Sequence, residues 1–368
     1  MEQGWVVGLG EVLWDVFADE ARFGGAPANF ACHASALGAR AAMISAVGPQ
    51  SDPFAARALE SLVQHRVDIS AVVRNEHETG RVMVALDPQG HASYRFSQNP
   101  AWDFIDWSDA AAKVAHSTRA VCFGSLAQRH EHSRATIQRF LAAVPAEAWR
   151  IFDVNLRVDF WNDQRIVSSL GMANALKLNS DELPIVARAC GISASGITAL
   201  KAIRERFQLR FVALTSGSEG ATLVGASEID HCGAPAVDVR DTVGAGDSYT
   251  AAITLGMLNG WPLAQVNQRA VAVAAHHVVV ELLVRIHVSI GIHRQETRVL
   301  QEPGIDLAHE TRIVCGHAHD DAVGEPGMRT TRCKVIHRSG IAAGIDRTAH
   351  HDQGLGQSRI VYSGHQRH

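Results

Sequence analysis

The chain has few of the features that mark several other protein classes. Its 368 residues include only six cysteines, which are scattered and form no C-x-x-C pair, so a disulfide framework is not indicated. The formal net charge is −4, so no excess of basic residues indicates binding to nucleic acids or anionic membranes. No apolar run reaches the roughly 18–20 residues of a membrane span, and no charged region with a cleavage site precedes the strand predicted from Trp5 to Leu9. We expect a cytosolic protein with reduced thiols and no nucleic-acid or membrane partner.

Apolar segments of the strand and helix types alternate from Trp5 to His277, and 46% of the residues are hydrophobic. The predicted strands include Ala41–Val47, Val72–Val73 and Arg150–Arg157. This alternation predicts an α/β fold, a doubly wound and mainly parallel sheet with helices on both faces. Short strands within residues 11–33 and 73–105 predict a second, smaller sheet outside the main domain.

A loop of small residues, Asp241 to Asp247, precedes a helical pattern from Ser248 to Leu258. The backbone amides of such a loop can converge on an anion, and the helix dipole adds partial positive charge there. A carboxylate in the first turn, Asp247, can take a proton from a hydroxyl group while the amides hold negative charge. The alternative is an ordinary glycine-rich loop in which the aspartate caps the helix.

A second glycine motif lies far upstream, with Gly24 and Gly25 followed by Asn29 near a helix predicted from Phe30 to Leu37. Asn29 can cap this helix or bind a substrate hydroxyl. The two motifs, G-G-x-x-x-N and D-T-x-G-A-G-D, resemble the signatures of the ribokinase-like (pfkB) family of carbohydrate kinases. The segments N-P-A-W-D at residue 99 and F-D-V-N-L-R at residue 152 resemble its bacterial fructokinase branch.

The resemblance implies ATP-dependent phosphorylation of a sugar primary hydroxyl, with fructose to fructose 6-phosphate as the leading interpretation. It implies Asp247 as the catalytic base beside the amides of Gly244, Ala245 and Gly246. The substrate-binding residues it implies are Asp15, Gly24, Gly25, Asn29, Arg157 and Asp247. The ATP-binding residues it implies are Asn179, Thr215, Gly217, Ser218, Gly220 and Gly246. The metal sites it implies are Mg²⁺ bound through water near Glu182 and K⁺ at Asp241 and Val243.

Several alternatives stay open at this point. Asn179 and Glu182 fit a capping box with asparagine in place of serine or threonine, the T-x-G-x-x-G turn from Thr215 fits a plain hairpin, and Arg157 fits a surface cation. The substrate can instead be ribose, 2-keto-3-deoxygluconate or a nucleoside. The protein can also be a catalytically impaired sugar- or nucleotide-binding protein. The resemblance also implies that the smaller sheet is a β-lid over the sugar, and such a lid offers a surface for a homodimer.

The family pattern stops at about residue 277. Ten of the 20 histidines lie from His287 onward, and no motif matches the Gly-Ala loop that completes the K⁺ site in the family. We therefore divide the chain into a kinase domain, residues 1–277, and a divergent extension, residues 278–368. The extension is expected to be disordered or foreign to the family, either as a frame-shifted readout or as an unrelated addition.

Overall fold

The structure is a computed structural model that describes residues 4–86, 92–157, 160–235, 244–275, 313–317, 330–335 and 347–350. The chain divides into two compact units, Met1–Ile286 and His287–His368. None of the described helices is both long and apolar enough to cross a membrane.

The first unit alternates strands with helices along most of its length. Its strands are β1 (Trp5–Leu9), β2 (Leu13–Val16), β3 (Ala21–Gly24), β4 (Ala41–Val47), β5 (Val72–Arg74), β6 (Gly80–Leu86), β7 (Ala92–Phe96), β8 (Thr118–Phe123), β9 (Trp149–Asp153), β10 (Ala175–Asn179), β11 (Phe211–Thr215), β12 (Ala221–Val224) and β13 (Ile229–Cys232). Its helices are α1 (Ala26–Ala36), α2 (Pro53–Gln64), α3 (Asp109–His116), α4 (Glu131–Ala143), α5 (Asp163–Met172), α6 (Glu182–Ala189), α7 (Gly196–Arg206), α8 (Ala245–Leu258) and α9 (263–275). Short 3-10 turns lie at Ala101–Asp103, Leu126–Gln128 and Gly217–Glu219.

Two sheets organise these elements. Nine strands form one sheet in the order β13-β12-β11-β10-β9-β8-β1-β4-β5. The neighbours from β5 to β11 pair in parallel, and β12 and β13 pair antiparallel at one edge. A separate four-stranded sheet has the order β3-β2-β6-β7. The predicted α/β fold, with a mainly parallel sheet and a smaller second sheet, is confirmed.

Alternate residues of the central strands face opposite helical layers, as the geometry of a strand requires. Val7 of β1 packs into a buried cluster that includes side chains from α3 to α7. Val6 packs into another cluster, with Phe30 of α1 and Tyr249 of α8. Helices α1 and α8 pack against each other in the second layer, and this contact brings the two glycine motifs to one side of the sheet.

Two strands differ from their sequence-based predictions. The strand predicted over residues 150–157 ends at Asp153, because Asn155 adopts a left-handed conformation (φ 41°) that cannot continue a strand. The strand predicted at Val72 and Val73, assigned to the lid with its neighbours, pairs with β4 and extends the main sheet.

The second unit contains strands β14 (Ile313–His317), β15 (Thr330–Val335) and β16 (Arg347–His350). They form an antiparallel sheet in the order β14-β15-β16.

Candidate active site

The predicted anion-binding loop opens helix α8. Gly244 adopts a left-handed conformation (φ 80°) and caps the helix, whose first residue is Ala245. Amides in the first turn of a helix have no acceptor within that helix, and the dipole makes this end positive. Asp247 lies in the same turn, beside the amides that can hold an anion. Asp241 and Val243, the residues of the predicted K⁺ site, lie outside the described residues.

The second glycine motif opens helix α1. The helix begins at Ala26 instead of the predicted Phe30, because Gly25 (φ 107°) turns the chain and a proline suits the first turn. Asn29 therefore lies within the helix, and its side chain does not cap it. The amide Nδ2 of Asn29 donates a hydrogen bond to Oδ2 of Asp247 at 2.9 Å. The capping alternative for Asn29 is wrong, and one hydrogen bond joins motifs 218 residues apart.

The protonation of Asp247 is set by opposing effects. Burial raises the pKa of its carboxyl group, and the negative charge of Asp153 raises it further. The hydrogen bond from Asn29 and the positive charges of Lys177 and Arg157 lower the pKa. The balance is a pKa of about 6. A carboxylate with this pKa is ionised near pH 7 and is a stronger base than an exposed aspartate.

Asp15 and Arg157 contribute charge to the same site. The Oδ2 atom of Asp15, on β2, would lie 3.0 Å from a Cβ atom placed at Gly24, so the carboxylate rests against the glycine motif. Burial raises the pKa of Asp15, while Arg157 and Arg22 lower it. Arg157 also lowers the pKa of Asp247, although its own side chain is exposed. The predicted substrate residues thus share one electrostatic environment.

Asn179 and Glu182 form a reciprocal capping box at the start of α6. Oδ1 of Asn179 accepts from the Glu182 amide at 2.9 Å, and Oε2 of Glu182 accepts from the Asn179 amide at 2.8 Å. Oε1 of Glu182 accepts from the Leu156 amide at 2.9 Å. Both carboxylate oxygens are therefore bound to the backbone. This arrangement confirms the capping-box interpretation and suits a contact with Mg²⁺ through water.

The turn after β11 leads into a hairpin. The amide of Ser216 donates to the Gly220 carbonyl at 2.8 Å, and β12 and β13 follow as an antiparallel pair. A Cβ atom at Gly220 would overlap the backbone at the end of β13, so hairpin packing accounts for this glycine. Thr215 pairs in register with Asn179 on β10. The two predicted ATP-binding turns consequently lie side by side at the carboxyl edge of the sheet.

Three charged residues of this site were not predicted from the sequence: Glu11, Asp153 and Lys177. Nζ of Lys177 donates to Oδ1 of Asp153 at 3.1 Å, and both side chains are buried. Oε2 of Glu11 is buried and has no hydrogen-bond partner among the described residues. Burial is the main cause that raises the pKa of Glu11 to about 7. A single lysine within the apolar strand β10 was an available signal, because a buried ammonium group requires a nearby carboxylate.

In the part of the chain that the structure describes, no group of three or more acidic, histidine or cysteine side chains is placed to hold a metal ion. Mg²⁺ commonly keeps several waters and binds through one or two carboxylates together with substrate phosphates. The position of Glu182, whose oxygens are held by the backbone, fits that chemistry.

Comparison with known proteins decides the family. The model of the pfkB family of carbohydrate kinases matches residues 7–281. The chain belongs to this family. This kinase is 33% identical to a fructokinase of Salmonella typhimurium over 272 residues, which cover 70% of this chain and 85% of the relative. It is also 33% identical to a fructokinase of Klebsiella pneumoniae over 266 residues, which cover 69% and 83%.

A solved structure gives the same assignment. An uncharacterized sugar kinase from Pyrococcus horikoshii in complex with ATP is 27% identical to this kinase, with a TM-score of 0.63 over 73% of this chain and 91% of that chain. The protein is an ATP-dependent carbohydrate kinase, and the prediction made from the two motifs is confirmed. The family match ends at residue 281, close to the predicted end at residue 277.

Proposed function

We propose that this kinase transfers the terminal phosphoryl group of ATP to the primary hydroxyl of fructose, giving fructose 6-phosphate. The two bacterial fructokinases with 33% identity support fructose as the substrate. The observation that carries the reaction is the 2.9 Å hydrogen bond between Asn29 and Asp247, because it joins the sugar motif to the anion-binding loop.

Asp247 acts as the general base in this proposal. Its carboxylate takes the proton of the sugar hydroxyl, and the hydroxyl oxygen forms a bond to the terminal phosphorus of ATP. The bond between that phosphorus and the bridging oxygen breaks, and ADP leaves with the electron pair. The amides of Gly244, Ala245 and Gly246 hold negative charge on the transferring group. The protein contributes mainly position and neutralised charge.

The charges around the sugar favour a neutral substrate. Arg157 lowers the pKa of three carboxyl groups, those of Glu11, Asp15 and Asp247. Its positive charge is therefore already balanced by protein carboxylates and is not left for an anionic substrate. A sugar acid such as 2-keto-3-deoxygluconate would add another negative charge to this group. Ribose and nucleosides are neutral and are the alternative substrates that a panel must include.

The proposed ATP site is formed by the two turns that follow β10 and β11 at the carboxyl edge of the sheet. We assign ATP to Asn179, Thr215, Gly217, Ser218, Gly220 and Gly246. Mg²⁺, when bound with ATP, neutralises phosphate charge, and Glu182 would hold it through water. A K⁺ ion at Asp241 and Val243 stays a prediction.

The small sheet is proposed as a lid over the sugar. Its strands β2 and β3 carry Asp15 and Gly24, so the sheet itself supplies part of the substrate site. Closure of such a lid excludes water, which otherwise accepts the phosphoryl group. A homodimer through this sheet and a cytosolic location stay predictions.

The test is a coupled ADP-release assay with fructose, ribose, 2-keto-3-deoxygluconate and a nucleoside. We expect fructose to give the highest kcat/KM, and Asp247→Asn to lower kcat by about 10² or more, because a general base contributes at least that much. Asp109→Asn is the matched control, since Asp109 is an exposed aspartate in the first turn of α3. Full activity of Asp247→Asn would refute the assignment. Sugar binding without ADP release in the wild type would favour a binding protein.

A further inference from the structure

Asp153 lies at the carboxyl end of β9, next to the anion-binding loop, and the reaction described so far does not use it. Both of its carboxylate oxygens are occupied. Nζ of Lys177 lies 3.1 Å from Oδ1, and the hydroxyl of Thr250 lies 2.9 Å from Oδ2. The residue is 3% exposed. Asp153 therefore connects β9, β10 and α8 through hydrogen bonds in which at least one partner is charged.

Thr250 links this carboxylate to the first turn of α8. Its hydroxyl also lies 2.9 Å from the carbonyl oxygen of Gly246, which is one helical turn earlier. Asp247 directly follows Gly246 in the chain. The first turn of a helix has no preceding turn to hold it. The contact between Asp153 and Thr250 therefore restricts the position of the Gly246 peptide and of Asp247.

Lys177 approaches the same turn. A Cβ atom placed at Gly246 would lie 3.0 Å from Nζ of Lys177, so the ammonium group occupies the space beside this glycine. Burial alone would lower the pKa of Lys177, but the carboxylates of Asp153, Glu182 and Asp247 outweigh burial and raise it. Lys177 is thus a fixed positive charge that Asp153 orients.

We propose that Asp153 is a positioning residue for the phosphoryl transfer. By holding Thr250 and Lys177 at once, it fixes the first turn of α8 where the Asp247 carboxylate can reach the sugar hydroxyl. This inference rests on the proposed function, in which Asp247 is the base. Asp153 itself does not touch the substrate.

The arrangement also affects the pH dependence of the reaction. The titratable and charged groups around Asp247 come from several elements: Glu11 after β1, Cys122 in β8, Asp153 in β9, Arg157 after β9 and Lys177 in β10. Asp153 raises the pKa of Asp247, whereas Lys177 lowers it. Asp153→Asn removes the first effect and keeps the second, so the pKa of Asp247 should fall below about 6.

The experiment uses the full chain with ATP and the best sugar of the panel, and compares four variants with the wild type. Thr250→Val removes only the hydroxyl group. Its kcat should fall about tenfold with little change in KM for the sugar, because small misplacements of reacting groups have effects of this size or larger. Thr250→Ser restores the hydroxyl and should recover most of the loss. Thr254→Val is the matched control, because the buried hydroxyl of Thr254 donates to the Thr250 carbonyl and not to Asp153.

Asp153→Asn should lower kcat and move the acid limb of the kcat/KM profile to lower pH, which a loss of stability alone does not do. Thermal unfolding checks that each variant folds, and if Asp153→Asn does not, Thr250→Val and Thr250→Ser decide. Wild-type kcat in Thr250→Val, or an equal loss in Thr254→Val, would overturn this inference alone. A wild type that phosphorylates no sugar of the panel would overturn the proposed function and this inference with it.

Discussion

The carboxyl group of Glu11 is buried. Within the part of the chain that the structure describes, one of its oxygens, Oε2, has no hydrogen-bond partner. A Cβ atom at Gly25 would overlap the Glu11 carbonyl. Burial raises the pKa of the side chain from 4.5 to about 7, with a smaller increase from Asp247 and a decrease from Arg157. The unfolded chain loses this proton near pH 4.5, but the folded protein keeps it up to about pH 7. Because the folded state binds the proton more tightly, Glu11 reduces stability as the pH rises through this window.

Glu11→Gln should remove that penalty, since glutamine has a similar shape and does not ionise. Relative to the wild type, we expect the variant to gain stability between pH 5 and pH 8, by up to about 3 kcal/mol. Urea unfolding at a series of pH values measures the difference. Glu60→Gln, at an exposed position of α2, is the control and should follow the wild type. Parallel pH curves for Glu11→Gln and the wild type would contradict the prediction.

Single residues could be predicted from the sequence where a short motif carries them. Asp247 and Asn29 each lie in a glycine motif that is recognisable without a structure. Their hydrogen bond was not predictable, because it depends on the packing of α1 against α8. Lys177 and Asp153 belong to no spacing pattern, and their pairing follows only from the adjacency of β9 and β10.

At the scale of elements, Arg129 attaches the four-stranded sheet to the main sheet. Its guanidinium group binds both carboxylate oxygens of Asp103 at 2.9–3.1 Å and donates to the carbonyl of Ser97, just after β7. The guanidinium carbon also lies 4.3 Å from the ring centroid of Trp102 and 4.5 Å from that of Phe160. Arg129 and Asp103 are largely buried, so solvent screens this ion pair little.

Arg129→Lys should loosen the attachment, because lysine keeps the charge but not the planar fork that binds both oxygens. We expect a loss of about 1–3 kcal/mol in the free energy of unfolding. Because the four-stranded sheet carries Asp15, the proposed sugar ligand, KM for the sugar should rise by a larger factor than kcat falls. Urea unfolding and sugar titrations measure both effects. Arg139→Lys is the control, since Arg139 is exposed and stacks on Trp107 alone. Equal effects in the two variants would refute the role of Arg129.

Helices and strands could be predicted where a sequence pattern, such as a continuous apolar run, marks both of their ends. The strand predicted from Ala41 to Val47 matches β4 at both ends, since it is a continuous apolar run. The edge strand β5 was grouped with the lid because its three residues do not encode their partner, which is β4. For the T-x-G-x-x-G turn, the sequence pattern does not distinguish an ATP site from a plain hairpin. Hairpin packing requires a glycine at position 220 whether or not ATP binds.

At the scale of the whole molecule, the described parts of the site all lie in the first unit. The three clusters of buried apolar side chains found among the described residues lie within residues 5–274. The family match ends at residue 281, and the compact unit ends at Ile286. The domain boundary predicted from the sequence, near residue 277, rests on the loss of the family pattern there and stays a prediction. No motif or sustained periodicity occurs in residues 287–368, so their secondary structure could not be predicted from the sequence.

A chain that ends at Ile286 should therefore retain the wild-type unfolding temperature and kcat. A chain that ends at residue 262 is the control, because it removes α9. Helix α9 buries Val266 and Ala270 in a core cluster, and Asn267 accepts the hydroxyl of Tyr249 at 2.9 Å. Loss of these contacts leaves a cavity and an unpaired buried hydroxyl group, which should prevent folding. Thermal unfolding and the ADP-release assay on both chains decide the matter. If the chain ending at Ile286 is as unstable or inactive as the shorter one, residues beyond 286 are part of the kinase unit.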